Sequence, residues 1–151
     1  MRIVTLALIA TTAAFAAPPN LTGDWKLNIP KSDFGQFPGP SSMTQKVTHA
    51  DPKLTVETKQ ASDRGEFNFT ASYTTDGKEC TNTGFGGAPV KSILKWDGET
   101  LTIETKGTFG DNAFTMKDKW SLSADGKALT VLRHFSGNMG EMDQKLIFDK
   151  Q

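Results

Sequence analysis

With Cys80 as its only thiol, the chain cannot close a disulfide on itself, so its fold has to rest on apolar burial. Two histidines, His49 and His134, lie far apart, and with one cysteine they offer no zinc-ligand spacing. Charge of one sign is missing too: 17 basic residues face 17 acidic ones. That balance leaves no electrostatic footprint for nucleic acid and no basic run for anionic lipid. Long hydrophobic runs are absent beyond the first residues, so no later segment is apolar enough to span a membrane as a helix. No amphipathic helix of useful length is legible either, nor an internal linker.

The N-terminal residues supply the one short apolar stretch. Met1-Arg2 give a positive start, residues 3–10 an apolar segment, and Ala14-Phe15-Ala16 a small-residue cleavage motif. The expectation is a secretion signal over 1–16, removed to leave a mature domain of 17–151, secreted or periplasmic. Ala17 rather than a cysteine follows the cleavage point, so a lipid or other stable membrane anchor is not expected.

Beyond that point the chain alternates between strand-like runs and turns. Asp76-Gly77, Asp97-Gly98 and Asp125-Gly126 each sit between alternating segments, a strong hairpin signal. A two-residue loop at Asp97-Gly98 predicts Leu94 opposite Leu101, Ser92 opposite Ile103 and Lys91 opposite Glu104. The same rule at Asp125-Gly126 predicts Leu122 with Leu129, Trp120 with Val131, Asp118 with Arg133 and Met116 with Phe135, all on one face. Lys117, Lys119, Thr130 and His134 then form the solvated face. At Asp76-Gly77 it places Tyr73 opposite Cys80, with Phe67, Phe69 and Ala71 on the Tyr73 face. Further strands are expected at 23–28, 43–50, 54–58, 89–96 and 144–150, about ten in all, as in a sandwich or barrel. The longer loops carry Phe34, Phe37, Phe85 and Phe109 in exposed-looking positions.

Leu21-Thr22-Gly23-Asp24-Trp25-Lys26-Leu27, with Lys31-Ser32-Asp33-Phe34 after it and Ile147-Phe148-Asp149-Lys150 at the end, resembles the lipocalin-like (calycin) superfamily. It is closest in pattern to fatty-acid-binding proteins and to small exported lipocalin-like proteins of bacteria. The resemblance implies an all-β fold: a single antiparallel up-and-down barrel of about ten strands around an apolar cavity. In such barrels Trp25 would seal the closed end under a cationic side chain, for which Lys145 and Arg133 are the candidates. Two departures stand out. Residues 29–42, with Pro30, Pro38 and Pro40, leave no room for the helical lid of fatty-acid-binding proteins. The Arg-x-Tyr carboxylate clamp of their last strand is replaced by Leu146 and Phe148, the nearest substitute being Arg133-His134-Phe135.

No catalytic constellation emerges. Cys80 has no histidine with a reason to lie beside it, Glu57 and Glu66 sit in solvated hairpins, and Gly84-Phe85-Gly86-Gly87 lacks a following helix and Lys-Ser/Thr. His134 falls on the polar face, which argues against a haem ligand. Neither a cofactor nor a metal is expected. The reading is a monomeric, non-enzymatic binding protein for a small apolar or amphipathic molecule. Its candidate ligand-binding residues are Arg133, Asp118, Trp120, Phe135, Tyr73 and Trp96. For Asp118 and Arg133, opposed on an apolar face, two roles stay open: an anchor for a guest, or an internal pair that neutralises itself. A barrel filled by its own side chains, acting as a structural or interaction protein of the cell envelope, is the alternative.

Overall fold

The structure, a computed structural model, describes residues 16–151; the secretion-signal reading lies outside them except for Ala16. Ten antiparallel strands follow one another: β1 (Gly23–Leu27), β2 (Ser42–Ala50), β3 (Lys53–Ser62), β4 (Gly65–Thr74), β5 (Asp76–Thr83), β6 (Pro89–Asp97), β7 (Thr100–Phe109), β8 (Asn112–Leu122), β9 (Ala128–Gly137) and β10 (Gly140–Lys150). Except for β4 and β5, consecutive strands pair with each other, and β1 pairs with β10, so the sheet curls into an up-and-down barrel. The ladder is interrupted once, between β4 and β5. There side chains bridge the seam. The Asn82 amide donates to the Ser72 carbonyl at 3.0 Å and accepts from the Ser72 N–H at 2.8 Å, while the Thr74 N–H donates to Cys80 Sγ at 3.2 Å.

The period of two puts one residue set inside. Leu54 and Val56 of β3, Leu101 and Ile103 of β7, Trp120 of β8, Leu129 and Val131 of β9, and Leu146 and Phe148 of β10 are all buried. These residues gather toward one end, where β2 meets β3, β6 meets β7 and β8 meets β9. Trp25 lies there, 1% exposed, its Nε1–H donating to the Leu21 carbonyl at 3.0 Å. Toward the other end burial falls away, and Phe69, Phe85 and Phe109 become exposed. The barrel is therefore packed at its base and open at its top.

The β8–β9 register is the expected one, Asp118 opposite Arg133 and Trp120 opposite Val131. Its loop is wider than two residues: the Ser123 N–H donates to the Ala128 carbonyl, enclosing Ala124 to Lys127. The β6–β7 register corrects the expectation. Leu94 pairs with Ile103, Trp96 with Leu101, Ser92 with Thr105 and Lys91 with Lys106. The loop is Gly98-Glu99, with Gly98 at φ +60° in its first central position; a type I′ turn would have required positive φ at two residues. The slip of two keeps every side chain on its face. The Asp76-Gly77 hairpin does not form a ladder: Asp76 and Gly77 belong to β5, and Thr74, rather than Tyr73, meets Cys80.

Candidate functional site

Two connected spaces occupy the upper half of the barrel. A vestibule of about 820 Å³ opens at the top, and beneath it lies an inner chamber of about 190 Å³. Phe69, Ala71, Tyr73, Thr105, Met116 and Arg133 line both and mark where they meet. Phenylalanines wall the vestibule. Phe67 of β4 packs against Phe85 of the β5–β6 loop, with centroids 4.9 Å apart across the seam. Phe114 stacks between Phe109, at 4.6 Å, and Phe135, at 5.6 Å. Gly107 permits this: a Cβ there would sit 2.7 Å from Val90 and 2.9 Å from the Phe114 ring.

At the junction Arg133 and Asp118 form a bidentate pair. Nε and Nη2 of the guanidinium donate to the two carboxylate oxygens, each at 2.8 Å. Asp118 is 4% exposed, and the Arg133 side chain retains 27% of its surface. Burial works against the guanidinium's charge, but attraction and hydrogen bonding from Asp118 outweigh it and hold the Arg133 pKa above its usual range. The third nitrogen, Nη1, makes no hydrogen bond to the described residues. Tyr73 stands beside the pair. Burial first, then the nearby Asp118 charge, push its pKa up to about 12, so at neutral pH the phenol keeps its proton.

Deeper down, the chamber walls carry polar atoms without partners. Trp120 Nε1 and Gln45 Oε1 are buried and unbonded, although Gln45 Nε2 donates to the Thr58 hydroxyl at 3.4 Å. Thr105 is satisfied by Ser92, its cross-strand neighbour, at 2.8 Å.

Five of the six expected ligand-binding residues, Arg133, Asp118, Trp120, Phe135 and Tyr73, line these spaces. Trp96 does not. One position before the β6–β7 turn, it belongs to the closed end, where its Nε1–H donates to Asp51 Oδ1 at 2.9 Å and its ring lies 5.8 Å from His49. Lys145 is not the cation over Trp25 either. It pairs with Leu132 and exchanges backbone hydrogen bonds with Asp33, whereas Lys150 Nζ lies 5.6 Å from the Trp25 ring centroid. Arg133, the other candidate, is committed to Asp118. Phe34, expected to be exposed, packs against the core, while Phe37 is 51% exposed.

Sequence reasoning passed over Gln45, Phe114 and the Asp51 hub, and it placed Met116 opposite Phe135 on the inner face without assigning it to the site. Asp51 Oδ1 accepts from the Thr75 hydroxyl at 2.7 Å, Trp96 Nε1 at 2.9 Å and His49 Nε2 at 3.2 Å. His49 Nδ1 in turn accepts the Leu21 N–H at 3.2 Å. This network braces the base and touches neither cavity. His134, paired with Lys117 outside the barrel, meets Asp143 at 2.7 Å. Among the described residues no cluster of His, Cys, Asp or Glu could hold a metal ion.

No protein-family model and no curated protein matches the chain. Solved structures do. Zebrafish ileal bile acid-binding protein complexed with cholic acid is 17% identical over 87% of this chain and 98% of its own, with a TM-score of 0.63. Fatty-acid-binding protein 1 of Echinococcus granulosus is 13% identical over 85% and 96%, at 0.59. Secretory abundant heat soluble protein 4 of Ramazzottius varieornatus is 16% identical over 90% and 99%, at 0.58. At these identities the likeness is one of fold: this chain has the ten-stranded lipocalin-like barrel of the fatty-acid-binding type. Between β1 and β2 the chain holds one 3-10 turn, Ile29–Lys31, and an isolated bridge from Asp33 to Lys145, so no helical lid forms over residues 29–42, as Pro30, Pro38 and Pro40 indicate.

Proposed function

We propose that the chain is an exported, non-enzymatic binding protein that carries a small apolar or amphipathic molecule in its barrel. The vestibule carries this reading. Its volume falls in the range of small-molecule pockets, roughly 300–1,000 Å³, and phenylalanines dominate its apolar lining, with Asn68 and Asn82 at the β4–β5 seam and Tyr73, Thr105 and Arg133 at the floor. A self-filled barrel would bring large side chains to the centre at every level, but here the large buried residues gather at the base and the phenylalanines line the upper wall. Two fold neighbours support a hydrophobic guest: one was solved with cholic acid, and a Schistosoma mansoni fatty-acid-binding protein with arachidonic acid. Export rests on the charged start, apolar stretch and Ala-Phe-Ala motif of the first 16 residues.

The test is native mass spectrometry of the protein purified from its own host, beside titration with the neutral fluorophore Nile red. A co-purified small molecule, or saturable 1:1 Nile red binding that Phe135→Asp weakens, is the expected result. A protein that carries nothing and leaves Nile red unbound would return the barrel to a structural or surface role.

A further inference from the structure

Below the Arg133–Asp118 pair, each open hydrogen-bonding position around the inner chamber belongs to a neutral group; the open Nη1 of Arg133 lies at the junction itself, on a guanidinium whose charge Asp118 balances. Trp120, 6% exposed, presents an unpaired N–H, and Gln45 an unpaired carbonyl oxygen. The Tyr73 hydroxyl, able to donate and to accept, has no hydrogen bond to the described residues. The one cation at hand is already neutralised, because Asp118 engages Arg133 through both oxygens. A carboxylate brought to this junction would meet a pair of zero net charge and would itself be the uncompensated buried ion. That is costly in a low-dielectric site. It would also face the Asp118 carboxylate.

A neutral group that both donates and accepts meets none of these penalties. An alcohol oxygen accepts from an N–H while its proton goes to a carbonyl, and buried polar atoms are seldom left without such partners. We propose that the inner chamber is a subsite for a neutral hydroxyl head, held by Trp120, Gln45 and Tyr73, with the apolar body of the guest in the phenylalanine vestibule. This rests on the ligand-carrying reading above and names the chemical class of its guest: an amphipathic alcohol rather than a fatty carboxylate. Orientation follows from the two volumes. The two buried atoms without partners, Trp120 Nε1 and Gln45 Oε1, belong to residues that line only the 190 Å³ chamber, so the guest enters head first and leaves its hydrocarbon against Phe114 and Phe135.

The test uses three guests of one chain length, dodecan-1-ol, dodecanoate and dodecane, each displacing Nile red from the mature protein at neutral pH. The alcohol should bind at least about tenfold more tightly than the carboxylate, the equivalent of about 1.4 kcal/mol. Tyr73→Phe and Gln45→Met each remove one polar function at similar shape. They should weaken the alcohol about 2- to 10-fold, in line with one hydrogen bond, and leave dodecane unchanged. Trp120→Phe should do the same to the alcohol. Dodecanoate binding more tightly than dodecanol, or variants that shift alcohol and alkane equally, would overturn the proposal while leaving the barrel a carrier. If Nile red and all three guests fail to bind, the carrier reading falls and this one with it.

Discussion

Asn82 stands in for a peptide group opposite Ser72. Its side-chain amide takes both the donor and the acceptor of that residue, at 3.0 and 2.8 Å, where no strand ladder joins β4 to β5. Two edge strands would otherwise leave backbone groups unpaired beside the vestibule, an invitation to strand pairing with other chains. Asn82 lines the vestibule as well, so the seam forms part of the cavity wall.

Replacing Asn82 with Leu should therefore open the seam without unfolding the barrel. The expected cost is about 1–2 kcal/mol, from two lost hydrogen bonds at a solvent-exposed edge. Amide exchange at Ser72 and Thr74 should accelerate while the β8–β9 amides keep their protection. Unchanged exchange at Ser72 would mean that the side-chain bridge contributes nothing to closure.

Arg133→Met leaves Asp118, 4% exposed, without its partner, and should destabilise the protein by about 3–5 kcal/mol. Changing Asp118 to Leu at the same time should recover most of that loss, because two buried charges vanish together. Denaturant melts of both single variants and the double variant give the coupling directly. A stable Arg133→Met protein would show that the pair is screened by water entering through the vestibule.

This pair was legible in the sequence because the β8–β9 strands have a contrast that fixes their register. Asp118 and Arg133 lie among Trp120, Val131 and Phe135, and a slip of one residue would turn the whole set outward. The β6–β7 strands lack that safeguard against a slip of two. Leu94 meets an apolar partner whether it faces Leu101 or Ile103, and only the turn geometry decides. Trp96 was misplaced for a related reason: period-two alternation names a face but says nothing of height along the barrel. The Asp51 hub escaped notice because its partners, Thr75, Trp96 and His49, come from three separate turns and strands. Lys150, at the end of β10, reaches Trp25 through the β1–β10 pairing, which closes the two ends of the chain and leaves no local pattern.

Export makes a direct prediction. The protein recovered from periplasm or medium should begin at Ala17 on N-terminal sequencing, with Leu21 then five residues into the mature chain and already fully buried beneath His49. A mature protein that retains Met1 would contradict the signal.

Asp51 should make the base of the barrel sensitive to acid. The Thr75 hydroxyl lowers its pKa most; burial opposes this, and the hydrogen bonds from Trp96 and His49 lower it further, leaving it below the ordinary 3.8. A carboxylate depressed in the folded state adds stability that is fully present above its unfolded pKa and is lost as pH falls through the folded one. Asp51→Asn should therefore melt below the parent at neutral pH, and the gap should shrink once pH drops beneath 3.8. A gap that stays constant across that range would separate the hub's stability from the carboxylate's charge.

Tyr73 is the chain's single tyrosine, so the tyrosinate absorbance band reports it alone. Burial and the nearby Asp118 raise its pKa from 10.0 to about 12, which favours the neutral phenol in the folded protein. The sign is then set: the stabilisation linked to this proton is complete below pH 10.0, where the unfolded chain begins to titrate, and is lost as pH rises toward 12. Spectrophotometric titration of the native protein should give a midpoint well above that of the urea-unfolded chain. Asp118→Asn, which keeps the shape but removes the charge, should lower the native midpoint part of the way and leave the burial contribution in place. A native midpoint equal to the unfolded one would mean that water reaches the phenol freely. The floor of the vestibule would then be wet, and its neutral hydrogen-bonding groups would already be satisfied by solvent.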